Sequence, residues 1–405
     1  MSMALIQNPL HNLEGYLRSL CISIGERPVG SRKNHLTQEF IGDLFQRRGY
    51  AVEYQEFDCL DWKAGKVSLL VDGEALPAAV SPYSLPAEVT APLVSLGDLA
   101  ALESCDLQGK IAFLHSGLTR EALMPKNFPF YNPDEHRKII SLLEHRRPLA
   151  IVLESASGEG MLPVIEDGDF EIPSLVVSQS DSPRLKSGDV QQVSLSIDVS
   201  RRPTRAANVI ARRFSGESRR KMVLTAHLDT KPGTPGALDN ASGVATLLAL
   251  SPLVTTKFLA FELEFVALNG EDYYSSAGEV AYLNAYLPDF ERIFLAVNVD
   301  GVGLKGSPTG ISYLGVPDEM HATLESARQG FRSLEVIEPW TQGDHMLFTM
   351  HGVPALTLTS SRIFELVDRV VHTPQDTYDL LDLNTIWEAA LYLSEVLSRM
   401  NGVVK

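Results

Sequence analysis

The chain has 405 residues, 44% hydrophobic and 21% charged, which is ordinary for a globular protein large enough to hold more than one domain. Its formal net charge of −16 argues against nucleic acid as a partner, because a phosphate backbone attracts basic surfaces. The three cysteines are widely spaced and form no disulfide framework, which is typical of a reducing compartment.

No targeting segment is evident in the sequence. The first residues, MSMALIQNPLHNLEGYL, lack the basic region and apolar core of a secretory signal. No apolar run reaches the roughly 18 residues that a membrane span needs. We therefore expect a cytoplasmic protein without a membrane partner.

The N-terminal segment predicts two helices and a strand. Leu13, Leu17 and Leu20 recur at helical spacing, and Gly25–Ser31 (GERPVGS) interrupts this pattern before a second apolar helix. Tyr50–Phe57 alternates between apolar and polar side chains, as a half-buried strand does. We expect no reactive side chain in this segment.

The next segment consists of short apolar runs separated by turns and interrupted by a single clear helix at 133–147. The predicted strands are Lys66–Val71, Pro92–Leu96, Lys110–Leu114, Ala150–Leu153 and Leu175–Val177. Many short strands with few helices indicate a separate β-rich unit.

The C-terminal half returns to alternating strands and helices, the pattern of a mostly parallel sheet with helices on both faces. The predicted strands are Asn208–Arg212, Met222–Ala226, Leu263–Ala267, Phe294–Val299 and Ala355–Leu358, and a last helix is predicted over Asn384–Met400. The fold class is therefore α/β.

Polar side chains follow several of these strands or lie ahead of the last helix. They are His227, Asp229 and Asp239; Asn269, Glu271 and Asp272; Asn298 and Asp300; and His372 and Asp376. Because open α/β sheets bind ligands at the carboxyl ends of their strands, we expect these groups to meet at one edge.

The residue types in this set are suited to metal binding. Two histidines and three carboxylates are donors that divalent zinc accepts. A carboxylate has two oxygens and can bridge two metal ions, and a further carboxylate that binds no metal can serve as general base toward a metal-activated water. The set therefore predicts two divalent metal ions, with zinc as the expected element.

Five motifs carry a family resemblance. They occur in the order HLD, ALDNASG, NGED, NVDG and HTPQDT. They resemble the zinc aminopeptidase family with two co-catalytic metals, which includes aminopeptidase Y and the glutamate carboxypeptidases. The resemblance implies the α/β zinc-peptidase, phosphorylase/hydrolase-like fold over essentially the whole chain.

The resemblance also implies a domain organisation. GERPVGS looks like the family's N-terminal segment, and DLQGKIAFL with IPSLVVS in the β-rich segment looks like a protease-associated domain. We therefore expect a catalytic domain made of residues 1–57 and 201–405, with residues 58–200 as a protease-associated insert.

The resemblance implies a role for each metal-site residue. His227 and Asp300 would hold one zinc, Asp272 and His372 would hold the other, and Asp239 would bridge both ions.

The resemblance also implies roles for groups that bind no metal. Glu271 would be the general base. Asp229 would orient His227 through its second ring nitrogen, and Asp376 would do the same for His372. Asp344 and His345 would line the substrate pocket.

Two positions depart from the family pattern. The acid pair is Glu271-Asp272, whereas the family has two glutamates, and aspartate is shorter by one methylene. Val371 stands where some members have a tyrosine that stabilises the tetrahedral intermediate. Tyr273, Tyr274 or His345 could replace that tyrosine.

The leading functional prediction is an aminopeptidase that hydrolyses N-terminal residues from peptides with a free amino terminus. One alternative is a single-zinc enzyme similar to glutaminyl cyclase. Another is a catalytically silent binding protein on the same scaffold, as transferrin receptors are. Carboxypeptidase action and the oligomeric state are left open.

Overall fold

The computed structural model describes residues 8–126, 128, 132–156, 158, 160–187, 192–213, 219–254, 259–273, 276–367 and 369–403. The chain forms two compact units. The main unit consists of Met1–Cys59 and Arg205–Lys405, and the inserted unit consists of Leu60–Thr204. The predicted insert covers residues 58–200, and its identity as a protease-associated domain stays a prediction.

The strands are, in chain order, β1 (Ala51–Val71), β2 (Glu74–Ala75), β3 (Ala79–Val80), β4 (Ala87–Ala91), β5 (Leu93–Leu96), β6 (Ile111–Leu114), β7 (Ala150–Glu154), β8 (Ser174–Val177), β9 (Val193–Arg213), β10 (Lys221–His227), β11 (Glu262–Leu268), β12 (Ile293–Val299), β13 (Thr309–Leu314), β14 (Leu334–Val336) and β15 (Ala355–Ser360). The α-helices are α1 (Pro9–Arg18), α2 (Arg32–Arg47), α3 (Leu99–Ser104), α4 (Asp134–Arg146), α5 (Pro183–Lys186), α6 (Ser242–Leu250), α7 (Ala277–Tyr286), α8 (Asp318–Arg328), α9 (Met346–Thr349) and α10 (Leu383–Val403).

The main unit is built on a mixed sheet in the order β14-β13-β15-β12-β10-β11-β9-β1. Strand β10 pairs in parallel with both β11 and β12, and β12 pairs in parallel with β15. Strands β9 and β13 run antiparallel to β11 and β15. The predicted parallel centre is therefore correct, and antiparallel strands flank it.

The central strands are buried along their whole length, since every residue of β10 and β12 is shielded from solvent. Strands buried on both faces read as continuous apolar runs, which is why the sequence predicts them well. The apolar faces of α1, α2, α6 and α10 pack with these strands into one core, with Leu13, Ile41, Leu248 and Leu393 among its members.

The first two helices form as predicted, and Ser31 explains where the second begins. Its hydroxyl accepts a hydrogen bond from the Asn34 N–H at 3.1 Å and so caps the helix α2. The prediction of two separate strands at 50–57 and 66–71 is wrong, because both belong to the single strand β1. The intervening DCLDWKAG has the composition of a turn yet stays extended.

The inserted unit contains a sheet in the order β3-β8-β7-β6-β5, in which β5 to β8 are parallel. Its core joins Leu114, Leu153 and Val176 of this sheet to Leu102 of α3 and Ile139 of α4. Helix α4 matches the predicted helix, whereas α3 is too short to show helical periodicity in the sequence.

None of the helices in the described part of the chain combines the length and apolar character that crossing a bilayer requires.

Candidate metal centre

His227 is the last residue of β10 and is fully buried. Asp229 follows it and accepts hydrogen bonds from the Gly270 N–H at 2.7 Å and the Asp272 N–H at 3.1 Å. Its Oδ1 lies 3.8 Å from His227 Nδ1, which is longer than a hydrogen bond. Asp229 therefore joins the end of β10 to the segment after β11, while its predicted role toward the imidazole stays a prediction.

Asp239 lies in the loop between β10 and α6, and Asp376 fixes its backbone. The carboxylate of Asp376 accepts the Leu238 N–H at 2.7 Å and the Asp239 N–H at 3.0 Å. The proposed link from Asp376 to His372 does not occur among the described contacts. Asp376 instead holds the loop that carries Asp239.

Asn240 joins this loop to the end of β12, a role that sequence reasoning missed. Its side chain donates to the Val299 carbonyl at 2.9 Å and accepts the Gly243 N–H at 2.9 Å and the Gly301 N–H at 3.3 Å. These bonds fix the loop of Asp239 against the strand end that precedes Asp300.

The two carboxylate oxygens of Asp239 face different histidines. Oδ1 lies 2.8 Å from His227 Nε2, and Oδ2 lies 2.8 Å from His372 Nε2. His227 Nε2 is also 3.6 Å from Asp300 Oδ1, and His372 Nε2 is 3.1 Å from Asp272 Oδ1. Two groups of three donors therefore share Asp239, each with its ligand atoms within 4.8 Å of one another.

The donor set fits divalent metal ions. Both ring nitrogens of His227 are buried, and neither makes a contact with hydrogen-bond geometry, although Nε2 lies 2.8 Å from Asp239 Oδ1. Asp272 Oδ2 is likewise buried without a hydrogen bond. Such orphaned buried groups are costly unless a ligand satisfies them. Imidazole nitrogen and carboxylate oxygen are the ligands that zinc binds in proteins, so a metal would satisfy these groups.

Electrostatics within the cluster favour added positive charge. Burial lowers the pKa of His227, but the carboxylates of Asp300, Asp229 and Asp239 outweigh it and raise this pKa well above its usual value. Burial raises the pKa of Asp239, yet His227 and His372 hold it below its usual range. The protein groups alone therefore create a site that attracts cations.

Glu271 lies beside these donors and is partly exposed to an open cleft. Burial, together with the carboxylates of Asp272 and Asp300, raises the pKa of Glu271 well above its usual value. A ligand atom of Glu271 also lies within 4.8 Å of those of His227 and Asp272. These distances therefore do not distinguish a general base from a metal ligand at Glu271. Its assignment as the general base stays a prediction.

The cleft has an acidic floor and an apolar wall. Asp239, Glu271, Asp300 and His372 line it together with Trp340, Gln342, Gly343, Thr359, Ile363, Phe364, Val367 and Val371. Trp340 and Phe364 pack edge to face at 5.9 Å between ring centroids, and Phe364 is 51% exposed. The described lining contains neither lysine nor arginine.

The segment Gly343-Asp344-His345 contributes only Gly343 to this lining, so the prediction that Asp344 and His345 line the pocket is wrong. Both side chains are buried beneath it. A ring nitrogen of His345 bonds to the Trp340 carbonyl at 2.9 Å, and burial lowers the pKa of His345 to about 4.

Neither of the described candidates for stabilising a tetrahedral intermediate reaches the cleft. His345 and Tyr273 are buried and absent from the lining. Tyr274 lies outside the described residues.

The comparison with known families finds a match that contains this donor set. Residues 208–397 match the family model described as Peptidase family M28. This part of the chain is similar to M28 peptidases. The matched range includes every predicted metal ligand and Glu271, so the expected metallopeptidase relationship is confirmed. The number of metal ions and the protease-associated insert stay predictions.

The curated proteins that this chain matches are described as aminopeptidases. It is 24% identical over 291 residues to a probable leucine aminopeptidase 2 of Aspergillus oryzae, a match that covers 68% of this chain and 54% of that protein. It is 25% identical over 403 residues to aminopeptidase YwaD of Bacillus subtilis, with 92% and 81% covered. The chain thus spans little more than half the length of the Aspergillus relative.

Solved structures show the same fold. A zinc aminopeptidase from Bacillus subtilis superposes with a TM-score of 0.74 at 20% identity, covering 96% of this chain and 94% of that chain. A glutaminyl cyclase from Fimbriiglobus ruber superposes with a TM-score of 0.54 at 14% identity, covering 97% and 95%. The predicted α/β class, a central sheet flanked by helices, is confirmed.

Proposed function

We propose that this protein is a metal-dependent aminopeptidase that removes N-terminal residues from peptides and uses two zinc ions. The observation that carries the proposal is the position of Asp239, whose two carboxylate oxygens face His227 and His372 separately. A carboxylate has two oxygens, so one placed between two histidines can serve two adjacent metal ions.

His227 and Asp300 would hold one zinc ion, Asp272 and His372 would hold the other, and Asp239 would contribute to both. Bound zinc would polarise the scissile carbonyl and bring the pKa of an attacking water toward neutrality. Glu271 accepts the proton of that water and delivers it to the departing amine.

The charge of the cleft favours an amino terminus over a carboxyl terminus. Its described lining carries Asp239, Glu271 and Asp300, and no lysine or arginine that could pair with a carboxylate. A substrate ammonium is attracted to such a site, whereas a C-terminal carboxylate is repelled. This contrast supports aminopeptidase action over carboxypeptidase action.

The alternatives receive less support. A single-zinc cyclase has no need of a second donor group around His372, and the cyclase structure superposes less well than the aminopeptidase. A silent binding protein has no need of the full set of donors and an adjacent carboxylate. A cytoplasmic location and the absence of nucleic-acid and membrane partners stay predictions.

The test is a matched substrate panel with the zinc-loaded protein. We expect cleavage of leucine 4-nitroanilide, no cleavage of its N-acetylated counterpart, and loss of activity on chelation with recovery on adding zinc. Release of C-terminal residues from an N-acetylated peptide would contradict aminopeptidase action. Cyclisation of an N-terminal glutamine peptide without hydrolysis would favour the cyclase.

A further inference from the structure

Arg27 lies in the GERPVGS segment, where the sequence predicts no reactive side chain, yet it is fully buried against the loop that follows β10. Its Nε donates to the Leu228 carbonyl at 2.7 Å. Its Nη1 donates to the carbonyls of Pro235 at 2.8 Å and Gly25 at 3.3 Å, and its Nη2 donates to the Gly236 carbonyl at 2.8 Å. The guanidinium therefore uses most of its donors on backbone carbonyls.

A buried charge that contacts only carbonyl groups needs compensation from its surroundings. Burial lowers the pKa of Arg27, and the nearby carboxyl groups of Asp376, Asp229 and Asp239 oppose this effect. The acidic cluster of the metal centre thus contributes to holding Arg27 in its charged form.

The loop that Arg27 binds connects two of the proposed metal ligands, His227 and Asp239. Leu228 lies directly between His227 and Asp229, and Gly236 lies three positions before Asp239. The Arg27 backbone N–H also donates to Thr230 Oγ1 at 2.9 Å. One rigid group therefore contacts both ends of the loop.

Asp376 binds the same loop through its N–H groups. Arg27 holds the carbonyls of Leu228 and Gly236, while the Asp376 carboxylate accepts the N–H groups of Leu238 and Asp239. A cation on the carbonyls and an anion on the N–H groups leave the loop little freedom.

We propose that Arg27 is a positioning residue of the metal centre, which fixes the separation between His227 and Asp239 by clamping the Leu228–Gly236 loop. The inference rests on the proposed function, since it assigns a purpose to the same centre. Only arginine carries donors in a planar fork that reaches several acceptors, whereas lysine has one nitrogen on a flexible stem. We therefore expect that lysine at position 27 does not hold the loop as arginine does.

The experiment measures zinc affinity of metal-stripped protein by competition with a chelator, for the parent and for Arg27→Lys. Residues that support metal ligands typically change affinity about 10- to 100-fold when they are replaced, and we expect a loss of that size. The visible absorption of the cobalt-substituted protein should also change, because it reports ligand geometry. Circular dichroism verifies that each variant is folded.

Arg212→Met is the matched control. Arg212 is another largely buried arginine of the main unit, but it pairs with Glu53 and Glu264 and contacts no proposed metal ligand. We expect it to lower the melting temperature while zinc affinity and the cobalt spectrum stay as in the parent. Equal losses of zinc affinity in both variants would overturn the inference, because they would indicate general destabilisation.

Zinc binding by Arg27→Lys that matches the parent would also overturn it. If Arg27→Lys does not fold, Thr230→Val decides, since it removes an acceptor of the same clamp; weaker zinc binding supports the inference, and unchanged binding overturns it. Absence of zinc binding in the parent would instead refute the proposed function.

Discussion

Glu279 is a fully buried carboxyl group near the site, and its burial makes the stability of the protein depend on pH. It is 1% exposed, and its neighbours include Ser276 and the buried carboxyl group of Asp344. Burial, and then the charge of Glu271, raise the pKa of Glu279 to about 8. The folded protein therefore keeps a proton on Glu279 that the unfolded chain releases at much lower pH.

The sign of the effect follows from proton linkage. Between the unfolded pKa near 4.5 and the folded pKa of about 8, the native state binds more protons than the unfolded state. The free energy of unfolding therefore decreases as pH rises through this window.

We expect Glu279→Gln to remove that decrease, so the variant's free energy of unfolding should exceed that of the parent by roughly 4 kcal/mol at about pH 8 and by less than about 1 kcal/mol at about pH 5. Urea unfolding of chelated samples measures the difference. Glu335→Gln, at an exposed position on β14, is the control and should follow the parent. A constant offset between Glu279→Gln and parent across this range would contradict the account.

For individual residues, the sequence predicts which side chains can bind metal better than it predicts the contacts that hold those side chains in place. His227, Asp239 and Asp300 were predictable because histidine and carboxylates follow recognisable strands. The roles of Arg27 and Asn240 were not, because their partners are backbone groups of loops up to about 200 positions away along the chain. Backbone partners leave no residue pattern in the sequence.

The packing of helix α6 against strand β12 is the element-scale feature that positions two proposed ligands. A Cβ on Gly243 would lie 2.2 Å from the Val299 carbonyl oxygen and 2.3 Å from Asn240 Oδ1. The helix can approach the strand this closely only without a side chain at position 243. The Gly of ALDNASG is therefore a packing requirement.

Gly243→Ala should force the helix and strand apart and destabilise the protein by about 2–3 kcal/mol, the usual cost of overpacking. The matched control is Gly15→Ala in α1, where an added Cβ meets nothing within 4 Å. That change should be neutral or stabilise by up to about 1 kcal/mol, because alanine favours helices. Thermal unfolding followed by circular dichroism compares the two; equal melting temperatures would contradict this explanation.

The sequence predicted strand positions well where the strands are buried along their whole length, and less well for strands with polar stretches. The runs of β10, β11 and β12 are apolar and bounded by polar residues, so their positions were clear. The strand β1 was divided in two because its middle carries Asp61, Lys63 and Gly65, which are typical of turns. Its extended conformation depends on pairing within the sheet, and the local residue composition carries no information on that pairing.

Across the whole molecule, metal binding should stabilise one unit selectively. All of the proposed ligands belong to the main unit, while the inserted unit has hydrophobic clusters of its own. A ligand that binds only the native state stabilises the structure that forms its site.

We expect zinc addition to slow amide hydrogen exchange in Lys221–His227, Glu262–Leu268 and Ile293–Val299. Exchange in Ile111–Leu114 and Ala150–Glu154 of the inserted unit should not change. Mass spectrometry of peptic fragments, with and without zinc, resolves these segments. Equal protection of both units, or protection of the insert alone, would contradict the location of the site.

The proposed centre holds two zinc ions, and Glu271 is the group that moves the proton. The most direct measurement is zinc content, together with turnover of leucine 4-nitroanilide, for the parent and for Glu271→Gln. We predict two zinc ions per chain in both proteins and a turnover reduced roughly 100- to 10,000-fold in the variant, the usual contribution of a general base. Loss of zinc from Glu271→Gln, or turnover equal to that of the parent, would contradict the claim.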